Sequence, residues 1–275
     1  MVVILILLAL IVLFELLCLA LCCRRGHPAW NTLRMFRYAH RGYHNKPTVP
    51  ENSMAAFRRA ISNLYGAELD VHLMRDGNLA VIHDSSLLRT AGADVAIEDL
   101  TAEELADYRL EGTEERIPLL SEVLALFEDR TPLIVELKPE RGNHAELTAA
   151  AVALLDKYHV SYCIESFDPQ CLMWLKKHRP EIVRGQLSEQ FLRHDEEAPQ
   201  SKTVLWILGN LLMNFLTAPD FIAYNFSDRE NWAVKLCRKI YKVQEINWTI
   251  TKKEEMQAAE QLGNLVIFER FDPRG

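Results

Sequence analysis

Apolar positions fall along this chain in two regimes. Residues 1–23, MVVILILLALIVLFELLCLALCC, are apolar almost without interruption, with one charge at Glu15. About 20 apolar residues in a helix span the hydrocarbon core of a bilayer, so this stretch predicts one N-terminal transmembrane helix. After a polar juxtamembrane stretch at 24–36 the pattern changes. Short apolar runs recur at residues 37–40, 67–72, 133–137, 161–166, 183–187, 220–224, 244–249 and 265–268. Between them lie stretches of helical period at 53–64, 121–127, 145–158, 169–178, 229–240 and 252–262. The runs do not alternate strictly between apolar and polar, which predicts parallel strands buried on both faces. Repeated strand–helix steps on this scale predict an α/β fold, a (β/α)8 TIM barrel over residues 37–275. A doubly wound open sheet is the alternative.

Three stretches depart from the regular alternation. Residues 73–117 form a long excursion after the second strand. Asp76-Gly77 predicts a turn, residues 79–82 a short strand, and Thr101-Ala-Glu-Glu104 a helix start with a capping box. This is expected to be a small subdomain over the barrel mouth. The sequence ends just past the eighth run, leaving no room for an eighth helix, and residues 27–36 are expected to cover that flank. Residues 203–216, TVLWILGNLLMNFL, are too few to span a bilayer as a helix. They are candidates for an interfacial helix, a lid, or a buried barrel helix. Ser121, following Pro118, is the expected cap of the helix that begins there.

Composition and charge narrow the setting. Among 275 residues the formal net charge is −7, and no basic patch suggests nucleic-acid binding. No Lys or Arg precedes the apolar stretch, while Arg24, Arg25, Arg34 and Arg37 follow it. Positive charge on that flank predicts a single-pass protein of the cell membrane with its barrel in the cytoplasm. A cleaved signal peptide has a charged start, a shorter apolar core and a small-residue cleavage site, and none of these is evident here. The six cysteines show no zinc-type spacing, and reduced thiols fit a cytoplasmic domain.

The polar residues that end the apolar runs carry the chemistry. His40-Arg41-Gly42 ends the first, Glu68 and Asp70 lie on the second, and Glu136 and Lys138 end the third. Residues two apart on a strand face the same way. Glu68 and Asp70 therefore share a face, as do Glu136 and Lys138, while Leu69 and Val71 point into the packing layer behind. In a barrel these strand ends converge, so three carboxylates ring one centre suited to a hard divalent cation. His40 and His83 are candidates for a proton-accepting and proton-donating pair. Arg41 offers a planar cationic fork for phosphate oxygens. Glu51 and Asn52 either reach this site or cap the helix near Ser53. His72 continues the Glu68/Asp70 face and is a candidate for substrate contact.

These residues lie in motifs that resemble the glycerophosphodiester phosphodiesterase family. The motifs are His40-Arg41-Gly42, Pro50-Glu51-Asn52-Ser53, Glu68-Leu-Asp70-Val71, His83-Asp84-x-x-Leu87-x-Arg89-Thr90, Glu136-Leu-Lys138, Ser166-Phe167-Asp168-Pro169 and Trp248-Thr249. The resemblance covers roughly residues 37–270. It implies a metal-dependent (β/α)8 barrel in which Glu68, Asp70 and Glu136 bind Mg²⁺ or Ca²⁺. It implies His40 and His83 as acid and base, Arg41 and Lys138 as phosphate-binding residues, and Trp248 as part of the substrate pocket. The implied reaction is hydrolysis of a glycerophosphodiester to an alcohol and sn-glycerol 3-phosphate. A lysophospholipase D acting on membrane lysophospholipids is the alternative, and an inactive glycerophosphodiester-binding membrane module is a third reading. One departure stands at the end of the match. The family's usual Ile-Ile-Thr-Asp-x-Pro appears here as Val266-Ile-Phe-Glu-Arg-Phe-Asp272-Pro273, which leaves the pocket near the last strand open.

Overall fold

A computed structural model describes residues 1–194 and 200–274. Its strands are β1 (Tyr38–Ala39), β2 (Gly66–Leu73), β3 (Leu79–Val81), β4 (Leu133–Leu137), β5 (Tyr162–Ser166), β6 (Arg184–Ser188), β7 (Phe221–Asn225), β8 (Gln244–Ile250) and β9 (Leu265–Phe268). The helices before the barrel and in its first part are α1 (Val2–Ala20), α2 (Trp30–Leu33), α3 (Met54–Ser62), α4 (Leu88–Ala91), α5 (Ala102–Leu105) and α6 (Leu120–Phe127). Those that follow are α7 (His144–Leu155), α8 (Pro169–His178), α9 (Phe191–His194), α10 (Lys202–Gly209), α11 (Asn214–Thr217), α12 (Trp232–Tyr241) and α13 (Lys253–Gln261).

Eight strands close into a parallel barrel. β1 pairs in parallel with both β2 and β9, and the sheet order β1-β9-β8-β7-β6-β5-β4-β2 thereby returns on itself. β3 adds to β2 in antiparallel register. The fold is the expected barrel, and closure excludes the open sheet.

The two-residue period of the strands sorts side chains as anticipated. Ala67, Leu69 and Val71 on β2, with Leu133, Val135 and Leu137 on β4, face outward into one cluster with Phe57, Leu120, Val123 and Phe127 of α3 and α6. Helix starts are set by local caps. Ser53 Oγ accepts from the Ala56 N–H at 3.1 Å, and Asp168 accepts from the Gln170 N–H at 2.8 Å just before Pro169. Such caps each contribute about 1 kcal/mol. The cap expected at Ser121 lies elsewhere. Leu119 is the capping position of α6, and the Glu122 carboxylate accepts its N–H at 2.8 Å. Pro118 brings the helix in earlier than its first polar residue suggests, so Ser121 sits inside the first turn.

The segment after α1 also takes a different place from the one expected. Leu33 is buried in a cluster with Tyr38, Ile134, Cys163, Phe221, Ile246 and Ile267. Trp30 stacks on Phe221 at 5.1 Å, and the Tyr38 hydroxyl donates to the Leu33 carbonyl at 2.7 Å. These partners are inward-facing side chains near the strand starts. α2 therefore plugs the N-terminal end of the barrel interior instead of lining its flank. An open barrel end would leave this apolar floor in water, and α2 supplies the missing cover.

The end of α1 belongs to the barrel shell as well. Leu21 and Cys23 are buried with Leu211, Ile222, Tyr224, Val234 and Cys237. The Tyr241 hydroxyl donates to the Cys18 carbonyl at 2.6 Å, and Arg24 pairs with Asp220 and donates to the Pro180 carbonyl. The remainder of α1 is exposed and is long and apolar enough to cross a membrane, a property shared with signal sequences.

The excursion after β2 has its own small core of Met74, Ala80, Ile82, Leu87, Ile97, Leu100, Leu105, Leu110 and Ile117. Its α5 starts with the expected capping box at Thr101 and Glu104. The apolar 203–216 stretch is broken into α10 and α11. Leu205 and Leu211 are buried, whereas Val204, Trp206 and Phe215 are exposed.

Candidate active site

Adjacent strands β2 and β4 bring the predicted carboxylates together. Glu68, Asp70 and Glu136 offer oxygens that all lie within 4.8 Å of one another. A turn just after β1 delivers the cationic fork. Arg41 and Gly42 both have positive φ, 52° and 77°, and a Cβ at Gly42 would lie 2.8 Å from the Ala56 Cβ. Only glycine meets both demands at position 42. The turn points the Arg41 N–H at Glu68 Oε2, at 2.9 Å, and sets Arg41 Nη1 2.8 Å from Glu51 Oε1. Lys138 Nζ lies 2.6 Å from Glu136 Oε1 and 3.2 Å from Asp70 Oδ1.

Each histidine is held at Nδ1 by a carboxylate. Glu269 Oε2 lies 2.8 Å from His40 Nδ1, and Asp84 Oδ1 lies 2.6 Å from His83 Nδ1. An ionised carboxylate only accepts, so Nδ1 carries the proton in both rings and Nε2 is left free for chemistry. His40 Nε2 faces Glu68 Oε2 at 4.0 Å. Arg89 in turn bridges Asp84 and Glu51, tying the His83 loop to the Arg41 turn. His72 is consumed structurally. Its Nδ1 meets Glu98 at 2.7 Å and its Nε2 the His83 carbonyl at 3.1 Å, so it fastens the inserted subdomain to the barrel beneath His83.

Electrostatics follow from crowding and burial. Burial, then the neighbouring Asp70 and Glu136 charges, pushes Glu68 well above the usual carboxylate range. Burial raises Glu136 to about 7, against the pull of Lys138. Burial also acts on Asp70, but Lys138, His83 and Arg41 together hold it well below its ordinary value. Burial lowers both His40 and His83, the latter to about 4. Packed carboxylates of this kind resist ionising together unless a cation joins them. Glu68 Oε1 is buried with no hydrogen-bond partner, and the donors are all hard oxygens. The cluster thus fits a divalent cation of the Mg²⁺ or Ca²⁺ type.

All eight predicted site residues converge. His40, Arg41, Glu68, His83, Glu136, Lys138 and Trp248 line one cavity of about 80 Å³ at the barrel mouth, and Asp70 lies in the carboxylate cluster beneath it. The cavity continues along His83, Glu136, Lys138 and Phe167 into a larger cleft of about 680 Å³. Trp248 packs edge-to-face on Phe167 at 5.6 Å. Of the two undecided residues, Asn52 donates to Asp70 Oδ2 at 2.8 Å and Glu51 holds Arg41, while Ser53 does the capping.

Two acidic residues escaped the sequence reading. Glu269 lies within the last motif, where this chain departs from the family's usual pattern. Yet Glu269 is the first polar residue after the apolar run of β9, the same signal that marks His40. Glu165 shares the inward face of β5 with Cys163, and burial followed by the Glu136 charge raises it well above its ordinary range. Two-residue alternation from the apolar barrel floor would have found it.

Fold and site define a (β/α)8-barrel protein built around an acidic, cation-fitting centre flanked by two carboxylate-held histidines. The glycerophosphoryl diester phosphodiesterase family model matches residues 40–269, and the chain belongs to that family. It is 35% identical over 159 residues to a glycerophosphodiester phosphodiesterase of Caldanaerobacter subterraneus, a match covering 54% of this chain and 65% of that relative. It is 38% identical over 124 residues to a lysophospholipase D of Rattus norvegicus, covering 40% of this chain and 39% of the relative. The matched segments thus span less than two thirds of these relatives' lengths. A solved glycerophosphodiester phosphodiesterase of Thermotoga maritima superposes with a TM-score of 0.64 and 28% identity, over 85% of this chain and 94% of that one. An Oleispira antarctica phosphodiesterase, solved with sn-glycerol-3-phosphate, shares the fold at a TM-score of 0.70 and 24% identity, over 90% and 95% of the two chains.

Proposed function

We propose that this chain is a membrane-anchored, metal-dependent phosphodiesterase that hydrolyses a glycerophosphodiester to an alcohol and sn-glycerol 3-phosphate. The observation that carries this reading is the meeting of three carboxylates, two oriented imidazoles and two cations at one barrel mouth. Glu68, Asp70 and Glu136 would hold Mg²⁺ or Ca²⁺, which when bound draws negative charge from the phosphoryl oxygens. Arg41 and Lys138 clamp the phosphate. Arg41 is fixed on one side by Glu51, so its remaining donors are aimed without loss of rotamer freedom on binding. One histidine, neutral and unprotonated at Nε2, takes the proton of the attacking hydroxyl there, and the other, an imidazolium that carries a proton at Nε2 as well as Nδ1, gives its Nε2 proton to the leaving alkoxide, as one P–O bond forms and another breaks. Trp248 and Phe167 wall the glycerol side. We place residues 1–20 in the cell membrane, with the barrel on the cytoplasmic side where Arg24 and Arg25 follow α1.

A second reading, lysophospholipase D, is favoured by one observation. Leu205, Leu208 and Phe191 line the larger cleft, giving it an apolar wall that a water-soluble headgroup does not need.

The test is turnover by the purified full chain of glycerophosphodiesters and lysophospholipids in Mg²⁺, Ca²⁺ or EDTA. Turnover is expected with metal and lost with EDTA. Glu68→Ala, Asp70→Ala and Glu136→Ala should each abolish it while the fold persists. Activity retained by any two of them would overturn the metal assignment.

A further inference from the structure

The α10–α11 segment joins two features that the catalytic reading leaves separate, the base of α1 and the mouth of the barrel. α11 lies against α1, and α10 against α9. Leu211 and Leu212 share a cluster with Leu17 and Leu21. The Ser188 hydroxyl donates to the Leu208 carbonyl at 3.0 Å, and the Tyr224 hydroxyl to the Gly209 carbonyl at 2.6 Å. These bonds fix the end of α10 level with the C-terminal ends of β6 and β7, on the rim of the site. One side of α10 presents Leu205 and Leu208 to the catalytic cleft. Its other side presents Val204 and Trp206 to the surroundings, 42% and 48% exposed, and Phe215 of α11 is 43% exposed. Trp232 is exposed as well, and its neighbour Asn231 bonds to Gly209 and Asn210.

A contiguous group of large apolar side chains on a water-facing rim is unfavourable. They are explained where the same surface continues from a helix that enters a bilayer. Tryptophan is enriched at the headgroup level of membranes, and a cationic rim suits the anionic cytoplasmic leaflet. Arg25 follows the base of α1 and Lys202 opens α10, and both are exposed, while the exposed Lys235 on α12 is paired with Glu230.

We propose that the outer face of α10 and α11, centred on Trp206 and Phe215, is seated in the lipid headgroup layer beside α1 and forms a lip through which the site takes acylated glycerophosphodiesters directly from the membrane. This rests on the hydrolase and anchor readings above and adds to them the source and class of the substrate. The acyl chain stays on the lipid side of α10 or along Leu205 and Leu208, while the glycerol phosphate reaches Arg41 and Lys138.

The full chain in phosphatidylcholine vesicles provides the test. Trp206→Ser/Phe215→Ser is expected to lower kcat/KM at least tenfold on vesicle-borne lysophosphatidylcholine and to leave soluble glycerophosphocholine turnover within twofold, with Trp206→Phe/Phe215→Leu restoring the first. Brominated lipids should quench the wild-type fluorescence more than that of Trp206→Phe. Equal effects on the two substrates, or equal quenching, would overturn the lip. Failure of the wild-type chain to float with the vesicles would instead overturn the anchor and the lip with it. Absence of turnover of both the soluble ester and the vesicle-borne lysolipid would overturn the hydrolase reading, and quenching would then decide the lip by itself.

Discussion

In the proposed mechanism His40 acts through Nε2, and Glu269 holds its Nδ1 at 2.8 Å; Glu269 also lies 3.4 Å from His44 Nε2. Burial acts to raise Glu269, but the hydrogen bonds from His40 and His44 win and hold it below the usual carboxylate range. Glu269→Gln keeps the shape yet replaces an obligatory acceptor with a group that also donates, so His40 is no longer confined to one tautomer. A fall in kcat of about 10²-fold with little change in KM is expected, in the range that general acid–base groups supply; steady-state kinetics decides it, and an unchanged kcat would show that His40 needs no such holder. Gly42→Ala is expected to destabilise by about 2–4 kcal/mol, from left-handed strain and from the overlap with Ala56. Urea unfolding would report it, with Arg41-dependent turnover falling in parallel.

Among the elements, α2 shows how a four-residue helix closes a barrel. Leu33→Ala removes a buried side chain from the floor formed with Tyr38, Phe221 and Ile267. A loss of about 2–4 kcal/mol is expected, visible as a lower urea midpoint with nearly unchanged KM, because the plug lies at the opposite end of the barrel from the site. A KM change as large as the stability change would argue that floor and mouth are coupled. The inserted subdomain behaves differently. Its core is separate from that of the barrel, and it meets the site through His83, His72 and Arg89, so its stability bears on the placement of His83, one of the two histidines proposed to move protons.

For the molecule as a whole, α1 and the barrel are not two independent parts joined by a tether. Leu21, Cys23 and Arg24 complete the shell outside β7. Deleting residues 2–16 is expected to leave a folded barrel that no longer floats with vesicles. Deleting residues 2–26 uncovers Ile222 and Tyr224 and is expected to lower stability by a further 2 kcal/mol or more, about the worth of one fully buried leucine. Thermal unfolding of the two truncated chains side by side tests this, and equal stability would mean that the shell closes without residues 21–24.

How much of this was legible beforehand depends on the range of the forces involved. Strand and helix periods are local, so the barrel strands, α8 and the pairing of Glu68 with Asp70 on one face were readable within a residue or two. The seven polar candidates, His40, Arg41, Glu68, Asp70, His83, Glu136 and Lys138, were readable for the same reason, since they end, follow or lie on apolar runs and barrel topology sends strand ends to one place, whereas Trp248 was legible only through the resemblance of Trp248-Thr249 to the family's motifs. The sequence by itself thus determined the fold class, the acidic centre and its histidines. Only the tertiary structure decided that α2 plugs the floor, that Leu21 belongs to the barrel, that Glu269 faces His40, and that α10 stands between cleft and surroundings. Those choices turn on contacts between segments far apart in the chain, and local hydrophobic pattern says that a residue wants burial but not against what.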